Sequence, residues 1–193
     1  MRSLAEALPW FLPGLAVSLA LGLVLAPPLA RALGATRAVA YLLIVSLGAV
    51  VSATLLPTAG GFDWAAAGVG GCEVHRAWLA PLGHYLRPTE ESLNVLLFVP
   101  LGIALALLPR SARTAAVIAT AVAMPALVET TQMLLPVLGR GCEVGDVVNN
   151  SIGLVLGLVV GLGAGRIGTA ARTFGTAGPP GRHAPDDAGD RMP

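Results

Sequence analysis

Six polar side chains stand at or inside apolar stretches where side chains that could do chemistry are scarce: Asn94, Glu129, Gln132, Arg140, Asp146 and Asn150. Glu129 and Gln132 are three residues apart, so on a helix they share a face. Asp146 and Asn150 are four apart and share another, with Asn149 beside them on a neighbouring face. Ionisable groups inside apolar spans are costly, and their presence is a functional hypothesis by default. Carboxylates held dry can be tuned to give or take protons. Arg140 can pair with Asp146 or Glu129, and the amides can donate to either carboxylate. Asp146 can also serve as an acid at a helix start. The plainer reading is interhelical glue, at roughly 0.6–2 kcal/mol per contact. The sharper one is a polar pocket that takes the headgroup of a lipid-linked or amphiphilic molecule.

Five apolar blocks must position these residues. Hydrophobic residues make up 55 % of the chain and charged ones 12 %, with a mean hydropathy of +0.76. A soluble domain carries about a quarter charged residues, so this chain could not cover a surface for water. A membrane helix needs about 20 mostly apolar residues. The blocks run roughly over Pro9–Leu29, Ala38–Leu56, Leu93–Leu108, Ala115–Leu138 and Asn150–Gly165. They predict an all-α, polytopic membrane helix bundle of about five transmembrane helices. The first block has a second reading as a signal peptide, but its apolar stretch is long and Pro27-Pro28 follows it in place of a cleavage site. Thr58–Glu91 reads as a long loop with Trp64, His75, Trp78, His84 and Tyr85, and Arg166–Pro193 as a disordered tail. The chain therefore divides into 1–91, two helices and the long loop; 92–165, three helices bearing the polar residues; and 166–193, the tail.

Arginine sets the orientation. All twelve basic residues are Arg. Arg31, Arg37, Arg110, Arg113, Arg166, Arg172, Arg182 and Arg191 fall on one side of a five-span chain, and Arg2, Arg76, Arg87 and Arg140 on the other. The arginine-rich side is predicted to be cytoplasmic, with the N-terminus outside and the C-terminus inside. Asp63, Glu73, Glu90, Glu91, Glu143 and Asp146 then lie outside, with Trp10, Trp64 and Trp78 near the outer interface. The polar six gather at that outer boundary, and the first two helices read as scaffold.

Two further patterns stand out. Cys72 and Cys142, the two cysteines, sit in identical tetrapeptides, Gly-Cys-Glu-Val, on the same outer side. An oxidising exterior permits a disulfide between them; the alternative is two free thiols in chance-similar settings. Gly153, Gly157, Gly161 and Gly165 form a small-xxx-small ridge for close helix packing, within the bundle or in a dimer. Two cysteines are too few for a four-ligand zinc site, so no metal and no cofactor is expected. A net charge of +1 offers no field for nucleic acid.

Asn94-x-x-x-Phe98-x-Pro100-x-Gly102, then Glu129-x-x-Gln132, then Arg140, then Asp146-x-x-x-Asn150-x-x-Gly153-x-x-x-Gly157 resembles the signature of VanZ-like membrane proteins. The resemblance covers roughly Ser92–Gly165; the first two helices and the tail add nothing to it, and the cysteines are outside its pattern. It implies a bacterial inner-membrane protein. The family's namesake is associated with resistance to the glycopeptide teicoplanin. Many members occur outside any resistance cluster, so resistance is not carried over to this chain. The resemblance supplies no biochemical activity.

Three functions are open. The first is a non-enzymatic cell-envelope protein that binds a membrane lipid, a lipid-linked wall precursor or another membrane protein at its outer face. The second is an intramembrane enzyme with Glu129 and Asp146 as acid and base, helped by His75 or His84; no known hydrolase motif or phosphate loop accompanies them. The third is a small transporter or channel using Glu129, for which no inverted repeat is visible.

Overall fold

The computed structural model describes residues 8–58, 70–74 and 79–175. Trp64, His75, Trp78, Asp63 and Arg76 lie outside the described residues, as do Arg2 and the tail beyond 175 with Arg182 and Arg191. The chain folds as a helix bundle. Its elements are α1 (Phe11–Leu33), α2 (Arg37–Thr54), β1 (Cys72–Glu73), α3 (Leu82–Tyr85), α4 (Glu90–Ala106), α5 (Ala112–Leu134), a 3-10 turn (Pro136–Leu138), β2 (Cys142–Glu143) and α6 (Val144–Gly175).

Local chemistry sets the boundaries. Gly34, at φ 66°, ends α1 in the left-handed region that glycine tolerates. Thr36 caps α2 by accepting from the Val39 N–H. Thr89 with Ser92, and Ser111 with Thr114, form capping boxes that start α4 and α5. Pro27 and Pro28 sit inside α1 and do not end it.

Among the described residues, four helices are long and apolar enough to cross a membrane: Phe11–Leu33, Arg37–Thr54, Ala112–Leu134 and the Val144–Arg166 part of α6. The fifth expected span, α4, has 17 residues and two acids in its first turn. It nevertheless joins the same two ends of the bundle as its neighbours. Its Asn94 meets Asp146 at the start of α6, and its far end passes Leu107, which lies against Gly165. Helix α4 is the central element, packing on α6, α2 and α5. Its Phe98, Leu101 and Leu105 are fully buried, with Val50 of α2 and Val128 of α5. Large apolar side chains such as Leu23, Val24 and Val159 point outward, as they should in lipid.

The arginine-bearing turns gather at one end. Arg113 donates to the Ala32 carbonyl at 3.1 Å, tying the α4–α5 turn to the α1–α2 turn. The opposite end carries β1, α3, the 3-10 turn and β2. Three expectations shift here. The long loop contains α3 and one strand of a two-residue parallel pair. Helix α6 begins at Val144 and not Asn150. It also continues to Gly175, so the start of the expected tail is helical.

Candidate functional site

The two Gly-Cys-Glu-Val tetrapeptides lie side by side. β1 and β2 pair in parallel, with Cys72 opposite Cys142 and Glu73 opposite Glu143. A disulfide joins the cysteines, with Cα atoms 4.6 Å apart, closing a separation of 70 residues. This pairing holds β2 under the end of α5. There the Glu143 N–H donates to Glu129 Oε2 at 2.9 Å.

Around that contact the six polar residues converge on one cavity of about 760 Å³. Glu129 is 4 % exposed, Gln132 6 % and Asn150 1 %; Asn94, Arg140 and Asp146 are half-buried. Gln132 Nε2 donates to the Thr54 carbonyl at 2.9 Å. Asn94 lies beside Asp146, which sits in the first turn of α6, where an acid suits the helix dipole. Arg140 Nε donates to the Leu56 carbonyl at 2.9 Å. Among the described residues Arg140 forms no ion pair with Glu129 or Asp146, contrary to the expected pairing; the carbonyl at the end of α2 takes its Nε–H. Burial pushes the Arg140 guanidinium below its ordinary value, but an arginine starts so high that it keeps its charge at neutral pH.

The rest of the cavity is apolar. Phe11 and Leu15 of α1, Leu42 and Val45 of α2, and Leu93 and Leu97 of α4 line it. The first two helices are therefore more than scaffold, since they build the wall opposite the polar cluster. The expectation missed them because apolar residues in an apolar helix carry no signal of what they face.

The segment expected as a loop contributes as well. Glu90 lines the cavity. Tyr85 Oη donates to Asn149 Oδ1 at 2.8 Å, bracing α3 against α6. His84, offered as a helper for catalysis, stays outside: it is exposed and its Nδ1 lies 3.5 Å from Glu91 Oε1. The Glu143 backbone is an addition to the expected site; the duplicated tetrapeptide, which suggests a Cys72–Cys142 disulfide, does not by itself reveal it.

The glycine ridge of α6 faces α4. A Cβ added at Gly153 would strike the Val95 carbonyl, and one at Gly157 the Val99 carbonyl. Gly102 of α4 meets the Leu154 carbonyl in return. At Gly161 the nearest atom would be Ala106 Cβ at 2.7 Å, and at Gly165 Leu107 Cδ2 at 3.7 Å, so the seam opens along its length. The α1–α2 hairpin has its own version, unnoticed in the sequence: Gly14 packs on Ser52 and Gly48 on Ser18. Both serine hydroxyls donate to carbonyls of their own helices at 2.7 Å, so the contact costs no unpaired polar group.

Among the described residues no cluster of His, Cys, Asp and Glu could hold a metal ion. No curated protein and no solved structure matches the chain. The VanZ/LLP1 family model matches residues 43–164, which begins inside α2 and takes in the whole polar cluster, its strand pair and most of the glycine ridge. With that match over more than half of its length, the chain is a membrane-helix protein that belongs to the VanZ/LLP1 family.

Proposed function

We propose that this protein binds an amphiphile at one face of the bacterial inner membrane, with the headgroup at the polar end of the cavity and the chain along its apolar wall. One observation carries the reading: a single cavity is polar where Glu129, Gln132, Arg140, Asp146 and Asn150 meet and apolar where α1, α2 and α4 face them. Ligand sites have this composition, apolar walls with a few convergent polar groups. Glue alone would fill the space between these side chains. The disulfide supports an oxidising compartment for this end, and the arginine-bearing turns support a cytoplasmic side for the other. The N-terminus is then outside and the C-terminus inside.

The test is to purify the full chain in mild detergent and identify retained lipids by mass spectrometry. A defined lipid or lipid-linked wall precursor should co-purify at a fixed ratio. Glu129→Gln and Asp146→Asn should each reduce it about tenfold or more, at normal abundance. Only bulk lipid, in unchanged proportion in both variants, would leave the cluster as structural glue.

A second reading rests on two carboxylates lining one cavity. Glu129 and Asp146 would act as acid and base on a lipid-linked substrate. Turnover of such a substrate by purified protein, abolished by both substitutions, would favour it over binding alone.

A further inference from the structure

The cavity has a surplus of hydrogen-bond acceptors. Gln132 Oε1 and Asn150 Oδ1 are buried and have no partner. For Gln132 the assignment is fixed, because its Nε2 faces the Thr54 carbonyl and a carbonyl can only accept. Among the described residues the Thr54 hydroxyl donates to the Val50 carbonyl and the Ser46 hydroxyl to carbonyls of its own helix, so neither serves these oxygens. Charge follows the same pattern: among the described residues Glu90, Glu129 and Asp146 line the cavity against one cation, Arg140. Buried acceptors without donors are costly, and the native protein satisfies them with water or a ligand.

A purely anionic headgroup would suit Arg140 but meet three carboxylates and leave both amide oxygens empty. A quaternary ammonium would suit the carboxylates but has no N–H to offer. A primary ammonium brings three donors and a positive charge. Resting on the amphiphile-binding reading above, we infer that the headgroup taken here carries both a primary ammonium and a phosphate, as in phosphatidylethanolamine. Glu129, Asp146 and the two amide oxygens receive the ammonium, and Arg140 receives the phosphate.

The experiment compares three lipids with identical acyl chains, phosphatidylethanolamine, phosphatidylcholine and phosphatidylglycerol. Each is titrated into the delipidated full chain in detergent and followed by native mass spectrometry. Phosphatidylethanolamine should bind at least about tenfold tighter than either of the others, since both lack one of the required features. Soluble phosphoethanolamine should compete for the site, which shows that the headgroup and not the chain is read. Glu129→Gln should weaken phosphatidylethanolamine binding more than phosphatidylcholine binding and so cut the preference. A monodisperse size-exclusion profile checks that the variant is folded. Arg140→Lys, which keeps the positive charge, should retain the preference.

Equal binding of all three lipids would overturn the inference and leave the amphiphile pocket standing. A preference for phosphatidylglycerol would overturn it in favour of an anion site on Arg140. No saturable binding of any lipid or lipid-linked precursor would remove the underlying reading as well.

Discussion

Helix α4 has two faces that solve opposite problems. One lies against α6 so closely that backbone meets backbone, Gly102 on the Leu154 carbonyl and Gly157 on the Val99 carbonyl. The other, with Asn94, Leu93 and Leu97, borders a cavity of about 760 Å³. The difference shows how a small bundle keeps a void open in a membrane. Water expulsion does not drive helices together there, so association rests on van der Waals contact and hydrogen bonds. The dry seam concentrates that contact on one side and so allows the other side to remain unfilled. The disulfide and strand pair stand at the polar end, fixing Glu143 where its N–H meets Glu129.

The largest effect should come from breaking the seam. Gly157→Leu would force a side chain into the Val99 carbonyl, where backbone cannot yield. The cost should exceed the about 1–3 kcal/mol of ordinary core overpacking and separate the two helices. The expected result is loss of monodisperse protein on size-exclusion chromatography. Gly163→Ala, where an added Cβ meets nothing within 4 Å, should behave as the native protein. If the two variants are indistinguishable, the seam does not hold the bundle.

Next comes the disulfide end. Replacing Cys72 and Cys142 by Ser removes a cross-link over 70 residues, worth about 2–4 kcal/mol in water-soluble proteins. Thermal unfolding should begin lower, and lipid retention should fall because the Glu143 N–H is no longer held on Glu129. A lowered unfolding temperature with intact retention would separate the strand pair from the cavity.

The smallest effect should be Tyr85→Phe. It deletes one half-buried hydrogen bond to Asn149, worth about 1 kcal/mol. A shift in unfolding temperature of a few degrees at most is expected, with cavity binding unaltered. A loss of binding instead would make α3 part of the site.

Much of this was legible beforehand. The apolar blocks announced the helices, because a lipid-facing surface must be apolar along its whole length. The scarcity of polar residues made Asn94, Glu129, Gln132, Arg140, Asp146 and Asn150 conspicuous, and all six line the cavity. The four-residue glycine repeat announced a close helix contact, though not its partner. Arg140 was harder to read. Its nearest acceptor proved to be a carbonyl 84 residues earlier in the chain, and no spacing rule reaches that far. The apolar wall was equally hidden, since Leu42 and Val45 look like any other membrane-helix residues.

The sequence by itself determined that the chain is a membrane-helix bundle, which residues in it are chemically capable, and that two tetrapeptides and four glycines repeat. These are local properties, set by side-chain type and helical period. Only the tertiary structure decided that the glycines close on α4, that the tetrapeptides pair in register, and that α1 and α2 face the polar cluster across a cavity. Those outcomes depend on which helix faces meet, and that is settled by the fit of whole surfaces, which no single segment contains.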